Sequence, residues 1–227
     1  MKLAVLALPL VAALTACAGS EPDPAPTPTQ TVAQPRTLVA ADLDLSTLGA
    51  KIVGPQGPEV ETLLANAGGQ IGTMTSYVAC PEGISACNPA TLPEGTLYTY
   101  VHRITLIEQP DAQPTSGPAA IEAPPTLFRT TEPVSGFDGA IGYRRAEAEA
   151  ALGAPDAISV SVEAGRLTWR LTQGTWQPGS TITFWWRSTM PPQGPAENYL
   201  FEVDGNQVSA TGPFPPEGNA GAARPAT

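Results

Sequence analysis

The chain has few of the side chains that do chemistry near neutral pH. Its 227 residues include one histidine, His102, and three cysteines, while aromatic residues make up 6% and charged residues 14%. No His-Glu-x-x-His or Gly-x-Ser-x-Gly segment occurs, so the commonest zinc-protease and serine-hydrolase signatures are excluded. A zinc site on the cysteines would need ligands beyond the single histidine. Basic residues number 11 against 21 acidic ones, for a formal net charge of −10. A chain this acidic, with no basic cluster, argues against nucleic acid as a partner and against electrostatic docking on anionic lipid. The ordinary reading of the acidity is solubility. After the first sixteen residues no apolar run approaches the ~20 residues of a membrane-spanning helix, and the mean hydropathy is −0.04. Any hold on a membrane must therefore come from elsewhere.

Proline (26 residues), glycine (22) and hydrophobic residues (42%) are plentiful. The N-terminal segment has Lys2, then a leucine- and alanine-rich run from Leu3 to Leu14, then the small residues Thr15 and Ala16. That layout is a secretory signal. It closes on Leu14-Thr15-Ala16-Cys17, which resembles the lipobox of bacterial lipoproteins. The resemblance covers the leader alone. It implies diacylglycerol transfer to the Cys17 sulfur, cleavage before Cys17 and often acylation of the new amine. Two or more acyl chains would hold the protein stably, where one would hold it marginally. Ala18 follows in place of the aspartate that resembles an inner-membrane retention signal, which implies outer-membrane placement in a cell that has one.

With Cys17 lipidated, Cys80 and Cys87 remain, and an even remainder in an exported chain predicts a disulfide. The bridge would close the turn-rich segment Pro81-Glu82-Gly83-Ile84-Ser85-Ala86 and pin a local loop. From Ala18 to Arg36 proline recurs at close intervals, as in Pro22, Pro24, Pro26 and Pro28. Such a segment cannot be helical and builds no core. It reads as an extended tether of at most ~3.1 Å per residue.

Most signals beyond it are β. Leu97–Ile107 is rich in β-branched and aromatic residues. Ala157–Val162 turns through Glu163-Ala164-Gly165 into Arg166–Gln173. Thr181–Thr189 is another strand. Tyr199–Val203 and Gln207–Ala210 flank Asp204-Gly205-Asn206, a hairpin turn. Two short helices are expected. Pro58–Ala67 has early glutamates and ends at Gly68-Gly69; Arg144–Leu152 ends at Gly153.

The two halves also align. Gly54, Glu59, Glu61 and Leu64 match Gly142, Glu147, Glu149 and Leu152 without a gap. Thr99-Tyr100-Val101-His102-Arg103 meets Thr183-Phe184-Trp185-Trp186-Arg187, and Leu127-Phe128 meets Leu200-Phe201. The order of signals agrees as well, which predicts a duplicated unit of about 85 residues spanning 45–130 and 135–211. Units this small bury little alone, so one shared core is expected. The fold class is then mainly β, a pseudo-symmetric sandwich with two short helices. Residues 1–16 form the signal peptide, 17–36 the lipidated cysteine and tether, 37–212 the folded domain and 213–227 an unstructured tail.

Candidates for function are few. Trp185 and Trp186 point to opposite faces of their strand. One of them, with Arg187 and with Tyr98 or Tyr100, could form an aromatic platform for a sugar or peptide; the alternative is burial on both faces. His102 aligns with Trp186, which suggests packing. Glu132, Asp138 and Glu202 are carboxylates of the kind a glycosidase pairs, though nothing in the sequence selects a pair. Asp42-x-Asp44-x-Ser46 lacks the later ligands of a calcium loop and reads as a strand or helix start. No metal- or cofactor-binding motif stands out. The expectation is a lipid-anchored protein of the bacterial envelope with a non-enzymatic binding or structural role, its partners a glycan or an envelope protein. The rival expectations are a polysaccharide hydrolase and an assembly partner of an envelope complex.

Overall fold

The computed structural model describes residues 34–54, 57–67, 69–107, 126–203 and 205–217; Cys17, the leader and most of the tether lie outside the described residues. Among the described residues, twelve strands form two six-stranded sheets. In chain order they are β1 (Arg36–Leu38), β2 (Leu48–Lys51), β3 (Val60–Asn66), β4 (Gly69–Pro81), β5 (Tyr98–Leu106), β6 (Leu127–Thr130), β7 (Phe137–Tyr143), the helix α1 (Arg145–Leu152), β8 (Ile158–Glu163), β9 (Arg166–Leu171), β10 (Thr181–Ser188), β11 (Gly194–Val203) and β12 (Asn206–Phe214). One sheet runs β1-β8-β9-β6-β11-β12. The other runs β2-β4-β5-β10-β7, with β3 also paired to β4. All ladders are antiparallel. The chain is thus a mainly β sandwich.

The core is the space between the inner faces. Period-2 alternation puts Tyr98, Tyr100, His102 and Ile104 of β5 and Ile182, Phe184 and Trp186 of β10 on one side, with Phe128, Trp169, Tyr199 and Phe201 of the facing sheet opposite. Tyr100 and Trp186, directly paired across strands, stack with ring centroids 4.1 Å apart. Phe128 stacks parallel to Tyr199 at 5.7 Å. Aromatic residues are few overall, yet most of them are concentrated here. Truncating one to alanine would cost roughly 3–5 kcal/mol.

One of the two expected helices is a strand. Residues 60–66 form β3 because Val60, Thr62 and Leu64 repeat with period 2, Leu64 being fully buried and Leu63 exposed. A helix of ten residues has little stability of its own, and pairing with β4 along all of β3 outweighs its weak propensity. The helix at the second site forms as α1. The proposed equivalence of the two helical segments is therefore corrected: a strand stands opposite a helix. Residues 213 and 214, expected in an unstructured tail, belong to the fold, and residues 218–227 lie outside the described residues. β12 continues through Pro213 to Phe214, which is 4% exposed and packed into the core.

The central strands nonetheless obey a two-fold register. Val101 pairs with Trp185, and Phe128 pairs with Phe201. These are residues that the sequence alignment makes equivalent, and an antiparallel pair whose equivalent residues face each other is what a two-fold axis between the strands requires. The flanking elements differ: the β3–β4 hairpin joins the sheet of β5, whereas the β8–β9 hairpin joins the opposite sheet.

Residues 36–51 form a strap. β1 pairs with β8 at the edge of one sheet. Ala41 then bridges the edge strand of the other, its N–H donating to Ile141 O at 3.0 Å and its carbonyl accepting from Tyr143 N–H at 3.2 Å. Leu43 crosses the outer face with Leu45 and Leu48 beside it, and β2 pairs with β4 on the far side. The strap covers a second apolar cluster of Tyr77, Ala79, Val101 and Trp185.

Candidate functional site

The five residues expected near a ligand are divided by the pleat. Trp186, Tyr100 and Tyr98 point into the core, at 0%, 0% and 3% exposure. Tyr100 Oη donates to Met190 O at 2.9 Å. These three form part of the packing between sheets and cannot offer an open platform. Burial also pushes the Tyr100 hydroxyl well above its usual range, as a phenolate has no solvation there.

Trp185 and Arg187 point the other way, under the strap. Trp185 Nε1 donates to Ala41 O at 3.3 Å, and its ring packs on Leu43 and Val101. Arg187 Nη2 pairs with Asp138 Oδ2 at 2.8 Å, while its Nε is shut away without a partner among the described residues. Both line a groove of about 370 Å³ that also reaches Asp44, Leu48, Glu82 and Thr99. The carboxylates of the strap already have partners. Asp42 Oδ1 accepts from Arg145 N–H at 2.9 Å and so caps α1, whose own N-cap, Arg144, makes no side-chain cap bond. Asp44 Oδ1 accepts from Ser46 N–H at 2.9 Å and Ser46 Oγ at 2.7 Å. The hydroxyl bond is the largest cause of its lowered pKa. The Asp42-x-Asp44-x-Ser46 segment therefore caps two helical turns.

His102 is fully buried between Ser76 and Trp186. Its Nδ1 lies 2.9 Å from Ser76 Oγ, and Trp186 Nε1 donates to its Nε2 at 3.3 Å. An indole nitrogen only donates, so Nε2 is the acceptor and Nδ1 carries the proton, given to Ser76 Oγ. This is the reverse of the polarity a general base needs toward a serine nucleophile. Burial lowers the His102 pKa to about 3. The Ser76–His102 pair thus satisfies polar groups inside the core.

The candidate glycosidase carboxylates do not come together. Asp138 is on β7, paired with Arg187, and Glu202 is on β11 of the other sheet, bonded to Gln207 Nε2 at 2.9 Å. Glu132 is exposed after β6. Among the described residues, no group of three or more His, Cys, Asp or Glu side chains is placed to hold a metal ion.

Cys80, at the end of β4, is bonded to Cys87, with Cα atoms 5.7 Å apart. The closed loop is tied to the strap, since Ala50 N–H donates to Ile84 O at 2.7 Å and Ile52 bridges Cys87. The disulfide was legible from cysteine arithmetic; the strap and the groove beneath it were not. The strap's sequence signal is its leucine spacing, Leu43, Leu45 and Leu48 among polar residues, which does not by itself say what the leucines cover.

The chain matches no protein-family model, and no curated protein and no solved structure matches it.

Proposed function

We propose that this is a lipid-anchored protein of the bacterial envelope, which holds a rigid β-sandwich on a proline-rich tether and acts by binding, not by catalysis. The carrying observation is the Leu14-Thr15-Ala16-Cys17 segment at the end of an apolar leader. Two further facts support it. Cys80 and Cys87 are bonded to each other, which leaves Cys17 as the one cysteine outside the disulfide and suits an oxidising compartment. The folded part begins with β1 at a sheet edge, so the tether joins the sandwich at an edge, where Pro35 borders the outer face of that sheet. A binding role is supported by the polarity of the buried His102 pair and by the separation of the carboxylates, which leave the core as scaffold and the outer faces as working surface.

Fractionation of cells making the full-length protein tests the anchor. The wild-type chain sediments with membranes, and Cys17→Ser releases it to the soluble fraction. Retention of Cys17→Ser on membranes contradicts the proposal.

A further inference from the structure

The two outer faces are unlike. The sheet containing β5 and β10 is covered by the strap. The outer face of the other sheet has no element across it among the described residues, and its side chains form polar rows. One row runs Thr37, Ser161, Thr168, Arg129, Leu200 and Ser209 through six strands in register. The next includes Ser159, Arg170 and Leu127. Between these rows is a depression of about 250 Å³ walled by Arg129, Arg170, Ser161, Thr168 and Glu163, with Pro35 at its border.

The described basic residues divide into paired and unpaired. Lys51, Arg144, Arg145 and Arg187 are paired with Glu59, Glu147, Asp156 and Asp138. Among the described residues, neither Arg129 nor Arg170 has a carboxylate partner, and Arg129 Nε is buried with no hydrogen-bond partner at all. Arg36, Arg103 and Arg166 also have no carboxylate partner among the described residues; what sets Arg129 and Arg170 apart is that they share one depression, diagonal to each other across the β6–β9 ladder, ~7–8 Å apart at the backbone. A guanidinium fork suits a carboxylate bidentately. The serine and threonine hydroxyls beside it donate and accept, as sugar hydroxyls do. Glu163 accepts from a hydroxyl and opposes a second negative charge at the rim.

We infer that this depression binds a carboxylate-bearing sugar, one uronic-acid-type residue of an acidic glycan. Arg129 and Arg170 take the carboxylate, and Ser161, Thr168 and Glu163 take the ring hydroxyls. The volume is below the ~300 Å³ at which pockets for drug-sized ligands begin, so one ring enters and neighbouring rings lie along the polar rows. The inference deepens the binding role proposed above and rests on it.

The probe is trigalacturonate, titrated calorimetrically into the full-length protein in detergent, with maltotriose as the neutral counterpart and glucose 6-phosphate as a phosphate source. Trigalacturonate binds; maltotriose and glucose 6-phosphate bind at least about tenfold more weakly. Arg129→Gln and Arg170→Gln each raise the Kd about tenfold or more, the scale of one lost charge-assisted hydrogen bond. Arg103→Gln, on the opposite sheet, changes nothing. Arg170 is exposed, so its variant keeps the test valid should Arg129→Gln fold poorly. Absence of trigalacturonate binding, unchanged affinity in Arg170→Gln, or equal binding of maltotriose or glucose 6-phosphate overturns the site. The trimer is recovered uncut; cleavage would overturn the non-catalytic reading instead. Either result is distinct from failure of the anchor, which is read at Cys17 in cells.

Discussion

His102 makes the core sensitive to pH. Its folded-state pKa of about 3 is below the ~6.5 of an exposed histidine. Above pH 6.5 both folded and unfolded states are neutral there, and the stabilisation is complete. As the pH falls through 6.5 the unfolded chain takes up a proton that the folded chain refuses, so stability declines until about pH 3. At pH 4.5 the loss is on the order of 2–3 kcal/mol. Urea unfolding of wild type and His102→Gln at pH 7 and pH 4.5 checks this. The variant, less stable at pH 7, loses less on acidification by about that amount. A second residue is strained. Ala164, in the turn between β8 and β9, has φ 48°, the only positive value at a non-glycine among the described residues, and Gly165 follows at φ 79°. Two consecutive left-handed residues suit Asn-Gly. Ala164→Asn should raise stability by about 0.5–1 kcal/mol, read as a higher Tm.

At the scale of elements, strands with a strong local pattern were legible and those defined by their neighbours were not. β5, β8, β9 and β10 carry runs of β-branched and aromatic residues with a readable turn or period, and they form close to the expected bounds. β3 reads as a helix in the sequence because its glutamates and its glycine stop mimic helix ends, while its period-2 face needs β4 beside it to be decisive. β4 itself, thirteen residues from Gly69 to Pro81, opens with small and hydroxyl residues, and its continuous apolar run is confined to Tyr77–Cys80. The strap depends most on context. Its close approach to β7 needs Gly142, where an added Cβ would fall 1.8 Å from Ala41 O. Gly142→Ala should lift residues 40–43 from the sheet at a cost of about 1–3 kcal/mol and raise acrylamide quenching of the tryptophan fluorescence as Trp185 is uncovered. A variant with unchanged Tm and quenching would show that the strap is not held at this point.

At the scale of the whole molecule, the sequence divides into a proposed address and a fold, and the two differ in what they reveal. The proposed address rests on a short linear resemblance, Leu14-Thr15-Ala16-Cys17, which needs no structure to be seen. The sandwich was legible as a class because alternation and turns are local. The candidate sugar site was not, because Arg129, Ser161, Thr168 and Arg170 come from three strands and converge only through register. No spacing in the chain links them. The central claim remains the anchor, and its most direct measurement is mass spectrometry of the mature N-terminal peptide from cells. The account predicts a peptide beginning at Cys17 that carries a diacylglycerol mass on sulfur, with the ester-linked acyl chains released by mild alkali. A mature chain beginning elsewhere, or one beginning at Cys17 with an unmodified thiol, would contradict it.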